Sequence, residues 1–123
     1  MRRPTVLVAD DHPRICEAIQ QLLEPGFEVV GAVKDGRTLV KTAQDLKPDL
    51  VVTDVGLPVL NGLEAGRALK NSAPHVKLIF LSMNPDPEIV REAFRIGASG
   101  YVLKNAMGEE LLPAMYSAMQ QPS

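Results

Sequence analysis

TVLVADDHP, residues 5–13, is the stretch that decides the fold. Thr5 to Ala9 is a continuous β-branched and aliphatic run, the signature of a strand covered on both faces. It runs directly into two adjacent carboxylates, Asp10 and Asp11, followed by His12 and Pro13. Proline is acceptable in the first turn of a helix. Ile15, Ala18, Ile19, Leu22 and Leu23 then recur at helical spacing until Pro25-Gly26 stops them. The chain therefore reads strand, acidic pair, helix. Like charges at a strand end repel, so the rest of the fold has to bring something positive to that place.

The same unit repeats along the chain. FEVVGAV (27–33) reads as a second strand, and Leu39, Val40, Ala43 and Leu46 form an apolar stripe within 36–46, closed by Pro48. DLVVTD (49–54) is a third strand; after VGLPVLNG, a helix is predicted over 63–69, where Gly66 costs about 1 kcal/mol relative to Ala. VKLIFLS (76–82) is a fourth strand. A helix over 87–96 follows, with Asp86 as its N-cap and Pro87 as its first residue. Gly97 ends it, SGYVLK (99–104) is the fifth strand, and 109–119 the last helix. Pro113 lies beyond the first turn of that helix, where it costs about 3 kcal/mol, so a late start or a kink is expected. Strands alternating with helices in this way predict an α/β fold: a doubly wound, five-stranded parallel sheet with right-handed crossovers and helices on both faces.

Composition bounds the rest. The 123 residues suit one domain with a single core, and 46% hydrophobic with 23% charged residues is a globular balance. A net charge of −2 gives no basic face for a phosphate backbone, so direct nucleic-acid binding by this domain is not expected. The single cysteine, Cys16, excludes an internal disulfide, fits a reducing compartment and reads as a small apolar residue on a helix. The run after the basic start, MRRP, is too short for a signal-peptide core, and nothing approaches the ~20 apolar residues of a membrane span. The expected location is the cytoplasm, with no membrane partner.

In parallel α/β sheets, ligands sit beyond the carboxyl ends of the strands. That rule gathers Asp10 and Asp11 after the first strand, Asp54 after the third, Ser82 after the fourth and Lys104 after the fifth. Converging carboxylates call for a hard divalent cation, and an oxygen-rich site with few protein ligands suits Mg²⁺. Lys104 supplies a compact positive charge for a phosphate oxygen, and Ser82 a hydroxyl donor. Taken singly, each has an ordinary reading as a cap, turn or surface residue. Together, on one side of the sheet, they describe a site that stabilises a phosphoryl group. His12 has the chemistry of a base or a ligand, but its place beside the acidic pair favours a charged or capping residue. His75, in the turn before the fourth strand, reads as solvated.

VADDHP, DLVVTDVGLPVLNGLE, LIFLS and GASGYVLK resemble the receiver domain of bacterial two-component response regulators, most of all those of LuxR/NarL-type regulators. The resemblance covers essentially the whole chain: residues 1–120 as the receiver, 121–123 as the start of a linker or tail. It implies a flavodoxin-like sheet of strand order 2-1-3-4-5. It further implies Asp54 as phosphoacceptor, and Asp10, Asp11, Asp54 and the Gly56 carbonyl as Mg²⁺ ligands. Ser82 and Lys104 would hold phosphoryl oxygens, and Tyr101 would be the aromatic of a switch. The implied partners are a sensor histidine kinase and a helix-turn-helix effector domain C-terminal to this chain, in transcription regulation; a homodimer is left open. Met83, Pro85 and Pro87 stand in the loop that would have to move. An aspartyl-phosphate phosphohydrolase is the enzyme alternative, but its second acid, two residues after the nucleophile, is replaced by Gly56. A receiver-like binding or dimerisation module is the third reading, opposed by the full acidic set.

Overall fold

A computed structural model describes residues 2–122. The element order is β1 (Thr5–Ala9), α1 (Pro13–Leu23), β2 (Glu28–Val33), α2 (Gly36–Leu46), β3 (Leu50–Asp54), α3 (Gly62–Ser72), β4 (Lys77–Ser82), α4 (Pro87–Ile96), β5 (Gly100–Leu103), a 3-10 turn (Lys104–Ala106) and α5 (Met107–Gln120). All strands pair in parallel, in the order β2-β1-β3-β4-β5. This is the doubly wound parallel sheet the alternation predicts, in the flavodoxin-like strand order the resemblance implies.

The central strands β1, β3 and β4 are buried almost throughout because both their faces are covered, whereas the edge strands β2 and β5 are only partly buried. Alternate residues of each strand enter different cores. Val6, Val8, Ile79 and Leu81 join Ile19, Leu23, Leu111 and Met115 on the side of α1 and α5. Leu7, Ala9, Leu78 and Phe80 join Leu39, Leu69 and Ala93 on the side of α2, α3 and α4. Gly66 has a packing reason beyond its helix cost: a Cβ there would lie 2.8 Å from Phe80 Cζ, so its absence lets α3 approach β4.

Three local expectations need correction. The last helix begins at Met107, neither late nor at Glu109, and continues through Pro113. Pro113 is exposed, as is Glu109, whose carbonyl loses its N–H partner and is free to be hydrated. Leu46 does not complete the apolar stripe of α2, being 48% exposed at the helix end. Lys104 falls just past β5, in the 3-10 turn, and its ammonium reaches Asp10 and Asp54 at the carboxyl ends of the inner strands β1 and β3. Gln121 and Pro122 leave α5 with their carbonyls accepting from Lys77 Nζ. Met1 and Ser123, the last residue of the expected tail, lie outside the described residues. No helix among the described residues is long and apolar enough to cross a membrane.

Candidate functional site

The carboxyl ends of β1, β3, β4 and the turn after β5 converge on one crevice. Asp10 follows β1 and is fully buried, its backbone N–H donating to the Val33 carbonyl on the neighbouring strand. Asp54 is the last residue of β3 and is 7% exposed. Lys104 Nζ stands 2.8 Å from Asp10 Oδ2 and 3.2 Å from Asp54 Oδ2, joining the two carboxylates. The contact with Asp10 is a charge pair rather than an aligned hydrogen bond, because Asp10 Oδ2 accepts no hydrogen bond in the structure. Burial of the Lys104 ammonium works against its charge, but its contacts with Asp10 and the negative charges of Asp54 and Asp10 outweigh this and raise its pKa. The positive charge that an acidic strand end requires is thus supplied from ninety-odd residues away.

Asp11 is the solvent-facing member of the pair, its side chain 39% exposed. His12 occupies the N-cap position of α1 but makes no side-chain capping bond, which corrects the capping half of its sequence reading. Its ring leans toward the acids instead, with Nδ1 3.1 Å from both Asp10 Oδ1 and Asp11 Oδ1. Cys16 is buried, as its sequence reading holds, and its Sγ donates to the Asp10 carbonyl. Burial, then the Asp10 charge, push the thiol pKa up, so it is not an activated nucleophile. His75 is exposed.

The loop from β3 to α3 frames Asp54. The Gly56 amide donates to Asp54 Oδ1 at 3.2 Å. Gly62 packs so closely that a Cβ would overlap the Asp54 carbonyl, and its amide donates to the Val55 carbonyl. Gly36 is likewise pressed against Leu60, pinning the loop to α2. Between these anchors Val59 takes φ +69°, a left-handed conformation rare for a β-branched residue.

Ser82, at the end of β4, is 6% exposed. Its hydroxyl is engaged with Asn84 rather than with Asp54: it donates to the Asn84 carbonyl at 3.0 Å and accepts from the Asn84 amide at 3.1 Å. The Tyr101 hydroxyl donates to the same carbonyl at 3.1 Å. Sequence reasoning named Ser82 and Tyr101 but not Asn84, whose contribution is a main-chain oxygen with no residue-type signal. Met83 between them is 76% exposed. Asp86 caps α4 through the Glu88 amide and Pro87 is its first residue, as the sequence predicts. Outside the crevice, Arg67 of α3 donates to Glu92 of α4 at 2.6 Å, and Arg95 donates to the other Glu92 oxygen at 2.9 Å.

One ligand atom from each of Asp10, Asp11, His12 and Asp54 lies within 4.8 Å of the others. Asp10, Asp11 and Asp54 fit a hard divalent cation: they present carboxylate oxygens, and one of these, Asp10 Oδ2, is buried without a hydrogen bond.

Residues 6–116 match the response regulator receiver domain model. The transcriptional regulatory protein DegU of Brevibacillus brevis is 36% identical over 112 residues, which cover 89% of this chain and 48% of that protein. The nitrate/nitrite response regulator NarL of Escherichia coli K12 is 34% identical over 116 residues, 93% of this chain and 54% of that protein. The signal receiver domain of a NarL response regulator from Mycobacterium tuberculosis superposes with a TM-score of 0.92 at 26% identity, covering 98% of this chain and all of that one. The chain spans about half the length of these regulators. With its parallel sheet, its acidic crevice and these relatives, the chain belongs to the response regulator receiver domains, among those of the LuxR/NarL type.

Proposed function

We propose that Asp54 accepts a phosphoryl group from the phosphohistidine of a sensor histidine kinase. The reading rests on the Lys104 ammonium bridging Asp10 and Asp54 in a crevice at the strand ends. An Asp54 carboxylate oxygen attacks phosphorus, the P–N bond breaks, and the imidazole leaves with its electron pair. Lys104, already 3.2 Å from Asp54 Oδ2, offsets negative charge on the phosphoryl oxygens without having to move far. Asp10, Asp11, Asp54 and the Gly56 carbonyl would hold Mg²⁺, which when bound supplies further positive charge to those oxygens. The domain acts only on its own phosphorylation and dephosphorylation, as a signalling acceptor.

The acyl phosphate adds about −1.5 to −2 of charge at one point. Ser82 answers it by exchanging its two bonds with Asn84 for one to a phosphoryl oxygen, which frees the loop between β4 and α4. Because Tyr101 holds the same Asn84 carbonyl, its ring follows, and the α4–β5–α5 surface shifts between two populations. On this reading residues 1–120 form the receiver, 121–123 begin a linker or C-terminal tail, and the partner it controls is a helix-turn-helix effector domain in transcription regulation. The test is labelling by acetyl phosphate with Mg²⁺, followed by intact mass. Wild type gains one phosphoryl group, and Asp54→Asn and Asp54→Ala gain none; full labelling of either variant moves the acceptor elsewhere.

A further inference from the structure

His12 has no capping duty in the helix it starts. The N-caps of α2, α3 and α4, Asp35, Asn61 and Asp86, all accept a backbone N–H through their side chains, whereas His12 does not. Its ring, 66% exposed and free to turn without disturbing the core, faces the acidic crevice. Nδ1 stands 3.1 Å from Asp10 Oδ1 and 3.1 Å from Asp11 Oδ1. Two donors held at about 2.1 Å and at right angles in an octahedral shell stand about 3.0 Å apart. The contact of the imidazole with each carboxylate is a hydrogen-bonded or ionic one in this structure, and its length also matches that of neighbouring ligands on one ion. Independently, the fully buried Asp10 Oδ2 accepts no aligned hydrogen bond even though the Lys104 ammonium stands 2.8 Å away, so the crevice still lacks a well-directed partner for that oxygen.

Building on the proposed cation site, we propose that His12 Nδ1 is an additional metal ligand, converting an oxygen-only site into a mixed nitrogen and oxygen one. Mg²⁺ gains little from imidazole, whereas Mn²⁺, Co²⁺ and Ni²⁺ accept it readily and rise in affinity along that series. The consequence is a receiver whose cation preference is set by the residue after the acidic pair. Neither the Asp54 chemistry nor the Lys104 contact requires that nitrogen.

The experiment uses tag-free protein, since a polyhistidine tag would compete. Calorimetric titration gives the Ni²⁺ and Mg²⁺ affinities of wild type, His12→Ala and His12→Gln. Electron spin echo spectra of the Mn²⁺-loaded proteins report any nitrogen nucleus bound to the metal. The expected result is ¹⁴N modulation in wild type and none in His12→Ala, with the Ni²⁺-to-Mg²⁺ affinity ratio falling at least about tenfold in both variants. An unchanged ratio, or nitrogen modulation that survives in His12→Ala, overturns the role of His12 while leaving the acidic cation site standing. Failure of wild type to bind any of the three ions overturns both readings, and Asp10→Asn abolishing all three supports the underlying site.

Discussion

Replacing Val59 should stabilise this domain, although the position lies in the loop that frames the proposed phosphoacceptor. Val59 sits at φ +69° with 71% of its surface exposed. A left-handed conformation costs an L-residue roughly 1–2 kcal/mol, and branching at Cβ places valine toward the upper end. Little apolar burial is lost on truncation, because the side chain is mostly in water. Glycine removes the strain but gives the unfolded chain more freedom, which returns about 0.4–1 kcal/mol. The net expectation for Val59→Gly is about 0.5–1 kcal/mol of added stability. Val59→Asn should do about as well, since asparagine tolerates the left-handed region without glycine's full entropy. With an unfolding entropy of about 2.1 cal/mol/K per residue, 1 kcal/mol corresponds to roughly 4 °C in a chain of 123 residues. Calorimetric melts of both variants beside wild type measure it, with acetyl phosphate labelling run in parallel. If both variants melt below wild type, the strain argument fails and the valine side chain makes a contact worth more than its backbone cost.

Lys104→Met should destabilise the fold by about 3 kcal/mol or more in urea unfolding, because it leaves Asp10 buried beside Asp54 without a counter-charge. The pKa of Lys104 is raised in the folded state, so its contribution is complete below the unfolded value near 10.4 and disappears as pH climbs through the higher folded value; the gap to the variant should close only in strong alkali. A gap that closes between pH 7 and 9 would contradict this. Arg67→Ala should speed hydrogen exchange in α4, since Arg67 ties α3 to Glu92; at 1 M salt, where the Debye length is about 3 Å, the difference from wild type should shrink. Met83→Ala should shorten the lifetime of phosphorylated protein by up to about tenfold, roughly 1.4 kcal/mol, if the exposed methionine shields the phosphoryl group from water. An equal dephosphorylation rate would leave it as a surface residue.

The sheet was legible in the sequence because its central strands β1, β3 and β4 are buried on both faces and stay largely apolar, and because each strand is followed by a 3.6-residue stripe. The N-cap Asp86 marks its helix start by local chemistry alone, whereas the cap Asn61, which starts α3 at Gly62 rather than at Leu63, was not read from the sequence. Parallel topology then brings Asp10, Asp54, Ser82 and Lys104 to one end, since every strand leaves the sheet on the same side. The deviations are those in which a neighbour outweighs the local preference. Pro113 is tolerated because it faces water, and Gly66 is favoured because Phe80 fills the space of its Cβ. Val59 is forced left-handed by a loop pinned at Gly36 and Gly62, and no property of valine announces it. The junction of Ser82 and Tyr101 at one carbonyl, and the turn of His12 away from its helix and toward the acids, are likewise tertiary. Residue types and their spacing determined which groups reach the crevice. Which of them touch was decided by main-chain oxygens and side-chain rotations that leave no mark in a sequence.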